Sequence, residues 1–329
     1  MAAGIEHSKG ESLMSNKKLD LPEDFIRKIT GAFGEKGEKW LDELEGKISH
    51  YAGKWNLAIE GPVPNLSYNY VAKAKDAHEN PVILKLGVPN SDFENEVLAV
   101  KAYNGESFVN LLAEDAENGA MLLERLIPGR DLSSIEDEEQ VTREYINVWK
   151  KIRRPIPDGG KFPSIMDWKN GLDRYKAMFP EGGEPIPFEA VDTARDIFKE
   201  FAELGDEQLL HGDLHHENIL FTEGRGWVAI DPKGVIGHPY YDIISFLVNY
   251  VNEKPDPKGL LKRRIDLICS EVSMDRILLL KAAVSLATLY ACWGIEDKTD
   301  WKNTYQCVLW FRELLEEYVS NQNTRQVRK

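Results

Sequence analysis

Cysteine is scarce in this chain, and the sequence features of exported, membrane-spanning and P-loop proteins are missing. Its three cysteines, Cys269, Cys292 and Cys307, are widely spaced in apolar segments. An odd, dispersed set is typical of reduced core thiols and predicts a cytoplasmic protein. No segment approaches the roughly 20 apolar residues of a membrane helix, and residues 1–19 contain no apolar signal core. The absence of a G-x-x-x-x-G-K-[ST] motif excludes a P-loop NTPase.

Basic residues are outnumbered, with 41 Lys and Arg against 55 Asp and Glu and a formal net charge of −14. Nucleic-acid binding requires a basic face, so this balance argues against a nucleic-acid partner. An acidic protein attracts cationic small molecules, although solubility explains the bulk charge equally well.

The most informative segment is His211–Asn218, His-Gly-Asp-Leu-His-His-Glu-Asn, which is followed by Asp231. Kinases separate a catalytic Asp from a metal-binding Asn by the interval D-x-x-x-x-N and place a metal-binding Asp further on. The pattern predicts that Asp213 accepts or orients the proton of a substrate hydroxyl. It also predicts that Asn218 and Asp231 hold Mg²⁺ beside ATP. A turn capped by Asp and Asn side chains is the alternative.

A predicted β-hairpin explains how the two metal ligands meet. The β-prone runs Ile219–Thr222 and Trp227–Ile230 flank a turn that contains glycine, which favours a hairpin. If the hairpin pairs symmetrically, Asn218 and Asp231 face each other at its open end. Their oxygen atoms can then hold one Mg²⁺, a cation that prefers oxygen ligands.

The histidines of the same segment allow a second interpretation, in which His211 and His215 bind a metal. We disfavour it because no cysteine or third histidine follows at zinc spacing and Gly212 interrupts a continuous helix. We expect His211 to be a packed residue that holds the catalytic loop, and His216 to be exposed.

Helical and extended patterns alternate in the first part of the chain. Residues 21–51 show two amphipathic helical stretches, and a further helix begins near residue 91. The β-prone runs of this part are 68–72, 82–86, 108–112 and 121–125. Beyond residue 131 helical periods dominate, apart from the hairpin and two loops at 154–164 and 179–188.

This order predicts an α+β, bilobal protein-kinase-like fold with a small β-rich N-terminal lobe and a larger helical C-terminal lobe. The predicted divisions are a flexible leader (1–20), a nucleotide lobe (21–126), a catalytic and substrate lobe (127–320) and a frayed tail (321–329).

Lys85 lies inside the apolar run Val82–Leu86. A lysine there requires anionic partners to offset the cost of desolvation, and nucleotide phosphates together with a helical glutamate would supply them. Of the two glutamates in the next helix, Glu96 falls within the apolar stripe and Glu94 points away, so we choose Glu96. A surface lysine on an edge strand is the alternative.

Two further segments are candidate nucleotide contacts, although no Gly-rich phosphate loop is evident. Ser67 and Asn69 lie in a turn between β-prone runs, where they and backbone N–H groups can cover phosphates. Glu124 and Leu126 belong to the connector between the lobes, where extended backbone can pair with an adenine edge. A plain strand end followed by a Pro-Gly turn explains the connector equally well.

The strings Leu210–Leu220, Ala229–Gly234 and Gly237–Asp242, supported by Val82–Leu86 and Leu122–Gly129, resemble the aminoglycoside phosphotransferase superfamily. The likeness is closer to its aminoglycoside/hydroxyurea antibiotic resistance kinase branch, which includes streptomycin 6-kinases. It implies a bilobal kinase-like fold, the use of ATP with Mg²⁺, and phosphorylation of a hydroxyl on a small molecule.

The resemblance also implies roles for particular residues. Asp213 corresponds to the catalytic base, Asn218 and Asp231 to the metal ligands, and Lys85 to the phosphate ligand. Asp242 corresponds to a brace of the catalytic loop, a role in which His211 would join it. The chain departs from the pattern at His238, where relatives often carry an acidic residue, and at position 217, which is frequently glycine in relatives.

Candidate substrate residues combine aromatic rings with carboxylates. Trp293, Glu296 and Asp297 end an apolar helix, and Trp168 follows the first proline-rich loop. Such a set suits a guanidinium or ammonium sugar, while exposed helix-end charges beside core tryptophans are the alternative.

Our leading hypothesis is an ATP-dependent phosphotransferase whose acceptor is an aminoglycoside such as streptomycin. A kinase of a small metabolite alcohol, such as a sugar, a choline-like alcohol or an amino alcohol, and a non-catalytic nucleotide-binding protein are the alternatives.

Overall fold

The computed structural model describes residues 19–182 and 185–327. All but the last two residues of the predicted leader lie outside these ranges, as do residues 183 and 184 of the second predicted loop. The first element, α1 (Glu23–Lys54), bends at Gly34, where φ is +53° and ψ is −137°. These torsion angles are outside the helical region and close to values that only glycine adopts readily. The two predicted helical stretches are therefore two arms of α1 that meet at this bend.

A five-stranded antiparallel sheet follows α1, in the spatial order β1-β2-β3-β5-β4. Its strands are β1 (Ala58–Pro62), β2 (Asn69–Lys75), β3 (Pro81–Gly87), β4 (Leu111–Asp115) and β5 (Ala120–Glu124). Strand β1 was missed in the sequence because Gly61 and Pro62 are residues that usually interrupt regular secondary structure. The strand nevertheless forms at the edge of the sheet, where a missing N–H donor is tolerated.

The two faces of the sheet are covered by different helices. On one face, Phe25, Trp40 and Leu44 of α1 belong to a buried cluster that includes Leu84 and Leu122. On the other face lies α2 (Ser91–Tyr103), which begins at the Asn90 cap. Residues Val97 and Val100 of α2 share a core with Met121 and Leu123, and this core continues into the C-terminal part of the chain. The alternation of side chains along β5 thus supplies both cores.

The C-terminal part is mostly helical and carries short strands near its junction with the sheet. Its strands are β6 (Pro128–Asp131), β7 (Gln208–Leu210), β8 (Ile219–Thr222), β9 (Gly226–Ala229) and β10 (Val235–Gly237). Its helices are α3 (Glu138–Ile152), α4 (Ile165–Trp168), α5 (Asn170–Met178), α6 (Phe188–Leu204), α7 (Ile244–Val248), α8 (Pro257–Val272), α9 (Arg276–Glu296) and α10 (Lys302–Val327). The predicted division at residues 126 and 127 falls on the connector between β5 and β6. Helix α10 continues past residue 320 to Val327, and the frayed tail from residue 321 stays a prediction.

Helix α9 forms the centre of the helical lobe. It is the one helix in the described part of the chain whose length and composition would allow it to cross a membrane, but 72% of its most apolar window is buried inside the protein. A core helix of a globular protein has this property. The three cysteines are buried and free, as predicted.

Candidate active site

The segment around Asp213 is held by a buried histidine. The Nε2 atom of His211 donates to the carbonyl oxygen of Ile230 at 2.7 Å, and its Nδ1 atom accepts from the backbone N–H of Asp213 at 3.2 Å. The ring is fully buried, and burial lowers the pKa of His211 to about 4. His211 is therefore neutral at pH 7, which leaves Nδ1 free to accept this hydrogen bond.

The carboxylate of Asp242 also holds this loop. Oδ1 of Asp242 accepts from the backbone N–H of Gly212 at 2.8 Å. Burial raises the pKa of Asp242 to about 6, although hydrogen bonds from the Gly212 and His211 backbone oppose the shift. Gly212 has φ +79°, and a Cβ atom there would lie 2.9 Å from a methyl group of Val235. The two predicted bracing residues thus accept hydrogen bonds from the adjacent backbone N–H groups of Gly212 and Asp213.

The hairpin after this loop forms as β8 and β9, but its register differs from the symmetric pairing that we expected. Ile219 pairs with Ala229, and the N–H of Ile230 donates to the carbonyl oxygen of Asn218 at 2.9 Å. Ile230 therefore stands opposite Asn218, and Asp231 comes one residue later. A left-handed φ of +55° at Asp231 turns the chain, and its side chain lines the same cavity as Asn218.

The two predicted metal ligands both line this cavity. The amide Nδ2 of Asn218 donates to the carbonyl oxygen of Asp213 at 2.8 Å, which turns Oδ1 of the same amide the other way. Asp231 offers a carboxylate that is 45% exposed. An amide oxygen and a carboxylate are ligands that suit Mg²⁺, which keeps waters or phosphate oxygens in its remaining positions. Residues 19–182 and 185–327 contain no group of three or more His, Cys, Asp or Glu side chains able to hold a metal.

Lys85 connects the sheet, α2 and the hairpin. Its Nζ atom lies 2.5 Å from Oε1 of Glu96 and 3.1 Å from Oδ1 of Asp231. Burial of the ammonium alone would lower its pKa, but the two carboxylates outweigh burial and the net pKa of Lys85 is raised. Burial at the cavity floor opposes ionisation of Asp231, yet attraction to Lys85, aided by Lys233, lowers its pKa overall. Glu94 is exposed, so the choice of Glu96 agrees with the geometry.

Two cavities meet at this site. The phosphate-side cavity, of about 600 Å³, is lined by Lys85, Asn218 and Asp231 together with Ser67 and Asn69. The acceptor-side cavity, of about 820 Å³, is lined by aromatic and acidic side chains: Trp168, Tyr250, Tyr290, Trp293, Glu253 and Asp297. The wall shared by both cavities contains Asp92, Asp213, His215, Lys233 and Asp297. Asp213 therefore lies where the contents of the two cavities would meet.

Three predicted contacts do not line either cavity. The carboxylate of Glu124 binds Arg225 and accepts from Nδ2 of Asn110 at 2.9 Å, and its backbone N–H donates to the Asn110 carbonyl. Leu126 is a buried side chain of the connector, and the pairing of the connector backbone with an adenine edge stays a prediction. Glu296 forms a bidentate pair with Arg174 at 2.9 and 3.0 Å, so its carboxylate already has a partner.

Other residues that support the site were missed in the sequence. Asn95 donates from α2 to the carbonyl oxygens of Lys233 and Gly234, so the helix that carries Glu96 is tied to the segment after Asp231. In the sequence, only the position of Asn95 next to Glu96 indicated that it could support the site. No local pattern distinguishes it from other helical polar residues.

His216 was predicted to be exposed but is buried. Its ring stacks on Phe246 with centroids 4.7 Å apart, and its Nε2 atom lies 3.3 Å from the buried guanidinium of Arg264. Arg264 also donates to the carbonyl oxygens of Phe246 and Asn249 and to Glu138. Helix α8 thereby holds the catalytic loop and the 245–250 segment that lines the acceptor-side cavity.

The fold and the site together define a phosphotransferase of the kinase-like class. Solved structures agree on the fold: choline kinase LicA from Streptococcus pneumoniae matches with a TM-score of 0.58 and 15% identity, over 82% of this chain and 99% of that one. Aminoglycoside phosphotransferase APH(4)-Ia, in a complex with ADP and hygromycin B, matches with a TM-score of 0.58 and 12% identity, over 82% and 97%.

Residues 54–298 match the family model for aminoglycoside/hydroxyurea antibiotic resistance kinases, and the chain belongs to this family. It is 26% identical to streptomycin 6-kinase of Streptomyces glaucescens over 87% of this chain and 94% of that protein. It is 27% identical to hydroxyurea phosphotransferase of Kitasatospora aureofaciens over 85% of this chain and 81% of that protein. The resemblance seen in the sequence motifs is confirmed.

Proposed function

We propose that the protein transfers a phosphoryl group from ATP to a hydroxyl of a cationic small molecule, an aminoglycoside such as streptomycin. The observation that carries the proposal is the position of Asp213 in the wall between a cavity lined by Lys85, Asn218 and Asp231 and a second cavity of aromatic and acidic side chains. Phosphoryl transfer depends mainly on positioning and electrostatic stabilisation, and this arrangement supplies both.

In this proposal Asp213 accepts the proton of the acceptor hydroxyl. The loop that carries it is fixed by hydrogen bonds to His211 and Asp242, so the carboxylate needs little reorganisation when an acceptor arrives. Lys85 holds phosphate oxygens of the nucleotide, and Glu96 keeps its ammonium in place. Lys233, in the shared wall, places a second cation beside the path of the transferred group.

Asn218 and Asp231 are the residues that would hold Mg²⁺, because both line the phosphate-side cavity and carry oxygen atoms of the kind that Mg²⁺ prefers. Bound Mg²⁺ would neutralise charge on the phosphate oxygens. The carboxylate of Asp231 is well suited to this role, since its lowered pKa keeps it ionised at neutral pH.

The acceptor class follows from the second cavity. Trp168 and Trp293 contact each other edge to face with ring centroids 5.6 Å apart, and Asp297 and Glu253 add carboxylates to the same lining. Aromatic faces beside carboxylates recognise guanidinium and ammonium groups. The names of the relatives, streptomycin 6-kinase and streptomycin 3''-kinase, support an aminoglycoside.

A metabolite alcohol remains the second candidate acceptor, since a choline-like ammonium alcohol would satisfy the same lining. A non-catalytic nucleotide-binding role is disfavoured by the complete set of Lys85, Asp213, Asn218 and Asp231. Three buried free thiols and the use of ATP fit the cytoplasmic location that we retain as part of the proposal.

The test is a coupled assay of ADP formation with MgATP and a panel of acceptors that contains streptomycin, other aminoglycosides, hydroxyurea, choline and simple sugars. We expect turnover with an aminoglycoside and a loss of about 10³-fold or more in Asp213→Asn, with ATP affinity and thermal stability retained. Turnover only with choline or a sugar would show that the acceptor is a metabolite alcohol and not an aminoglycoside. ATP binding without transfer to any acceptor would favour the non-catalytic alternative.

A further inference from the structure

Helix α1 reaches the phosphate-side cavity at its bend. Ala32 and Phe33, which immediately precede Gly34, line this cavity together with Lys85 and Asp231. The match to the family model begins at residue 54, so the bend lies outside the matched segment. It nevertheless forms part of the site.

We propose that the bend of α1 covers the phosphates of the bound nucleotide, with Phe33 as the covering side chain. This inference rests on the proposed use of ATP. It provides a covering element for a chain whose β1–β2 turn contains no Gly-rich loop, the element that covers the phosphates in protein kinases.

The contacts of α1 hold the bend over the cavity from two sides. Nζ of Lys28 lies 3.5 Å from Oγ of Ser67 in the β1–β2 turn, and Nζ of Lys36 donates to the carbonyl oxygen of Pro89 in the β3–α2 turn. The arms of α1 on either side of the bend are anchored in the core of the sheet by Phe25 and Trp40. The bend therefore connects the two turns that flank the phosphate end of the cavity.

The chemistry of the covering residues suits a lid rather than a ligand. Phe33 is half-buried and packs against the sheet core, while Ala32 is exposed, so neither can pair with a phosphate oxygen. Apolar side chains there exclude water from the ammonium of Lys85 and from any phosphates beside it. Exclusion of water strengthens attraction between opposite charges, and the benefit applies only to nucleotides that carry phosphates at this end of the cavity.

A substitution at Gly34 can alter the bend without a steric clash, because only the backbone conformation opposes it. A Cβ atom at Gly34 would meet nothing within 4 Å, but a φ of +53° is unfavourable for alanine. Gly46 lies on the same helix, and a Cβ atom there also meets nothing within 4 Å. Gly34→Ala therefore disturbs the backbone of the bend, and Gly46→Ala is the matched control with ordinary helical geometry.

The experiment measures the Kd of the full chain for MgATP and for adenosine by isothermal titration calorimetry. We expect Phe33→Ala to weaken MgATP about tenfold, the effect of losing roughly 1.4 kcal/mol, and to change the Kd of adenosine less than twofold. Gly34→Ala should do the same, while Gly46→Ala and the surface control Ile26→Ala should match the wild type. Hydrogen exchange of wild-type residues 31–37 should slow with MgATP but not with adenosine, which tests the inference even if a variant fails to fold.

An equal loss of affinity for both ligands, no loss for MgATP, or unchanged exchange of residues 31–37 would overturn the inference while leaving the proposed function intact. A wild-type protein that binds no MgATP would overturn the proposed function and this inference together.

Discussion

Replacing Lys85 by methionine separates the two tasks of this residue, which are to stabilise the fold and to bind phosphate. Methionine keeps most of the side-chain volume and removes the ammonium. In the wild type, Nζ of Lys85 lies 2.5 Å from Glu96, and the two side chains are only 5% and 12% exposed. Asp231 is 45% exposed, so solvent screens its share of the attraction. The stability effect of Lys85→Met therefore arises mainly from Glu96.

Removing one partner of a buried ion pair costs about 3–5 kcal/mol, because the other charge is left without compensation. We expect Lys85→Met to lower the free energy of unfolding by about this amount at pH 8. Burial already raises the pKa of Glu96, and Lys85 is the main influence that opposes the shift. Without Lys85, the pKa of Glu96 in the folded state lies further above its value in the unfolded state. The folded variant then takes up a proton as the pH falls, so its loss of stability is largest at alkaline pH and shrinks toward pH 5.

The assay is urea unfolding of the wild type, Lys85→Met and the double variant Lys85→Met/Glu96→Gln at pH 5 and pH 8, combined with the coupled kinase assay. The double variant has no unpaired carboxylate at position 96, so it should recover most of the stability lost at pH 8. Both variants should lose about 10²–10³-fold in kcat/KM, since neither restores a phosphate ligand. A double variant as unstable as Lys85→Met, or a stability loss independent of pH, would refute the ion-pair reasoning.

Three further predictions concern the metal site, the support of the catalytic loop and the acceptor-side cavity. Asp231→Asn should raise the Mg²⁺ concentration for half-maximal activity about tenfold or more, as checked by Mg²⁺ titration at saturating ATP, and an unchanged requirement would contradict the metal assignment. Arg264→Ala should lower the free energy of unfolding by about 3–5 kcal/mol in urea, because the carbonyl groups of Phe246 and Asn249 lose a charged donor and Glu138 keeps only Lys254; a loss below about 1 kcal/mol would contradict the buried network. Trp293→Ala should raise the KM for a cationic acceptor about tenfold and leave the KM for ATP unchanged, whereas an equal rise in both would indicate a general structural effect.

The spacing of local motifs was sufficient to predict the parts of the site that depend on neighbouring residues. The interval between Asp213 and Asn218 and the hairpin after it indicated the catalytic loop. The position of Lys85 inside an apolar strand indicated the need for anionic partners. The predicted register of the hairpin was off by one residue because Gly226, which we had placed in the turn, pairs with Thr222 as the first residue of β9, and the length of the turn fixes the register of a hairpin.

Residues whose partners are distant in the sequence could not be assigned in this way. Glu124 binds Arg225, 101 residues away, and Glu296 binds Arg174, 122 residues away. Both carboxylates lie in segments that suit ligand binding, and only the folded chain shows that arginines already occupy them. The same reason applies to His216, which is buried because Arg264 of α8 contacts it from 48 residues away.

The charges around the two cavities explain why the proposed reaction needs both a divalent cation and a cationic acceptor. Lys85 is already paired with two carboxylates, so it brings little net positive charge to an incoming triphosphate. Among the described residues that line the phosphate-side cavity, Lys233 is the one lysine without an ion pair. A triphosphate therefore enters a site with too few cations of its own, and Mg²⁺ held by Asn218 and Asp231 would supply the missing charge. In the acceptor-side cavity, an acceptor that carries ammonium or guanidinium groups would offset the charge of Asp297 in the shared wall. Mg²⁺ would thus balance the triphosphate, and the cationic acceptor would balance the carboxylates of the protein.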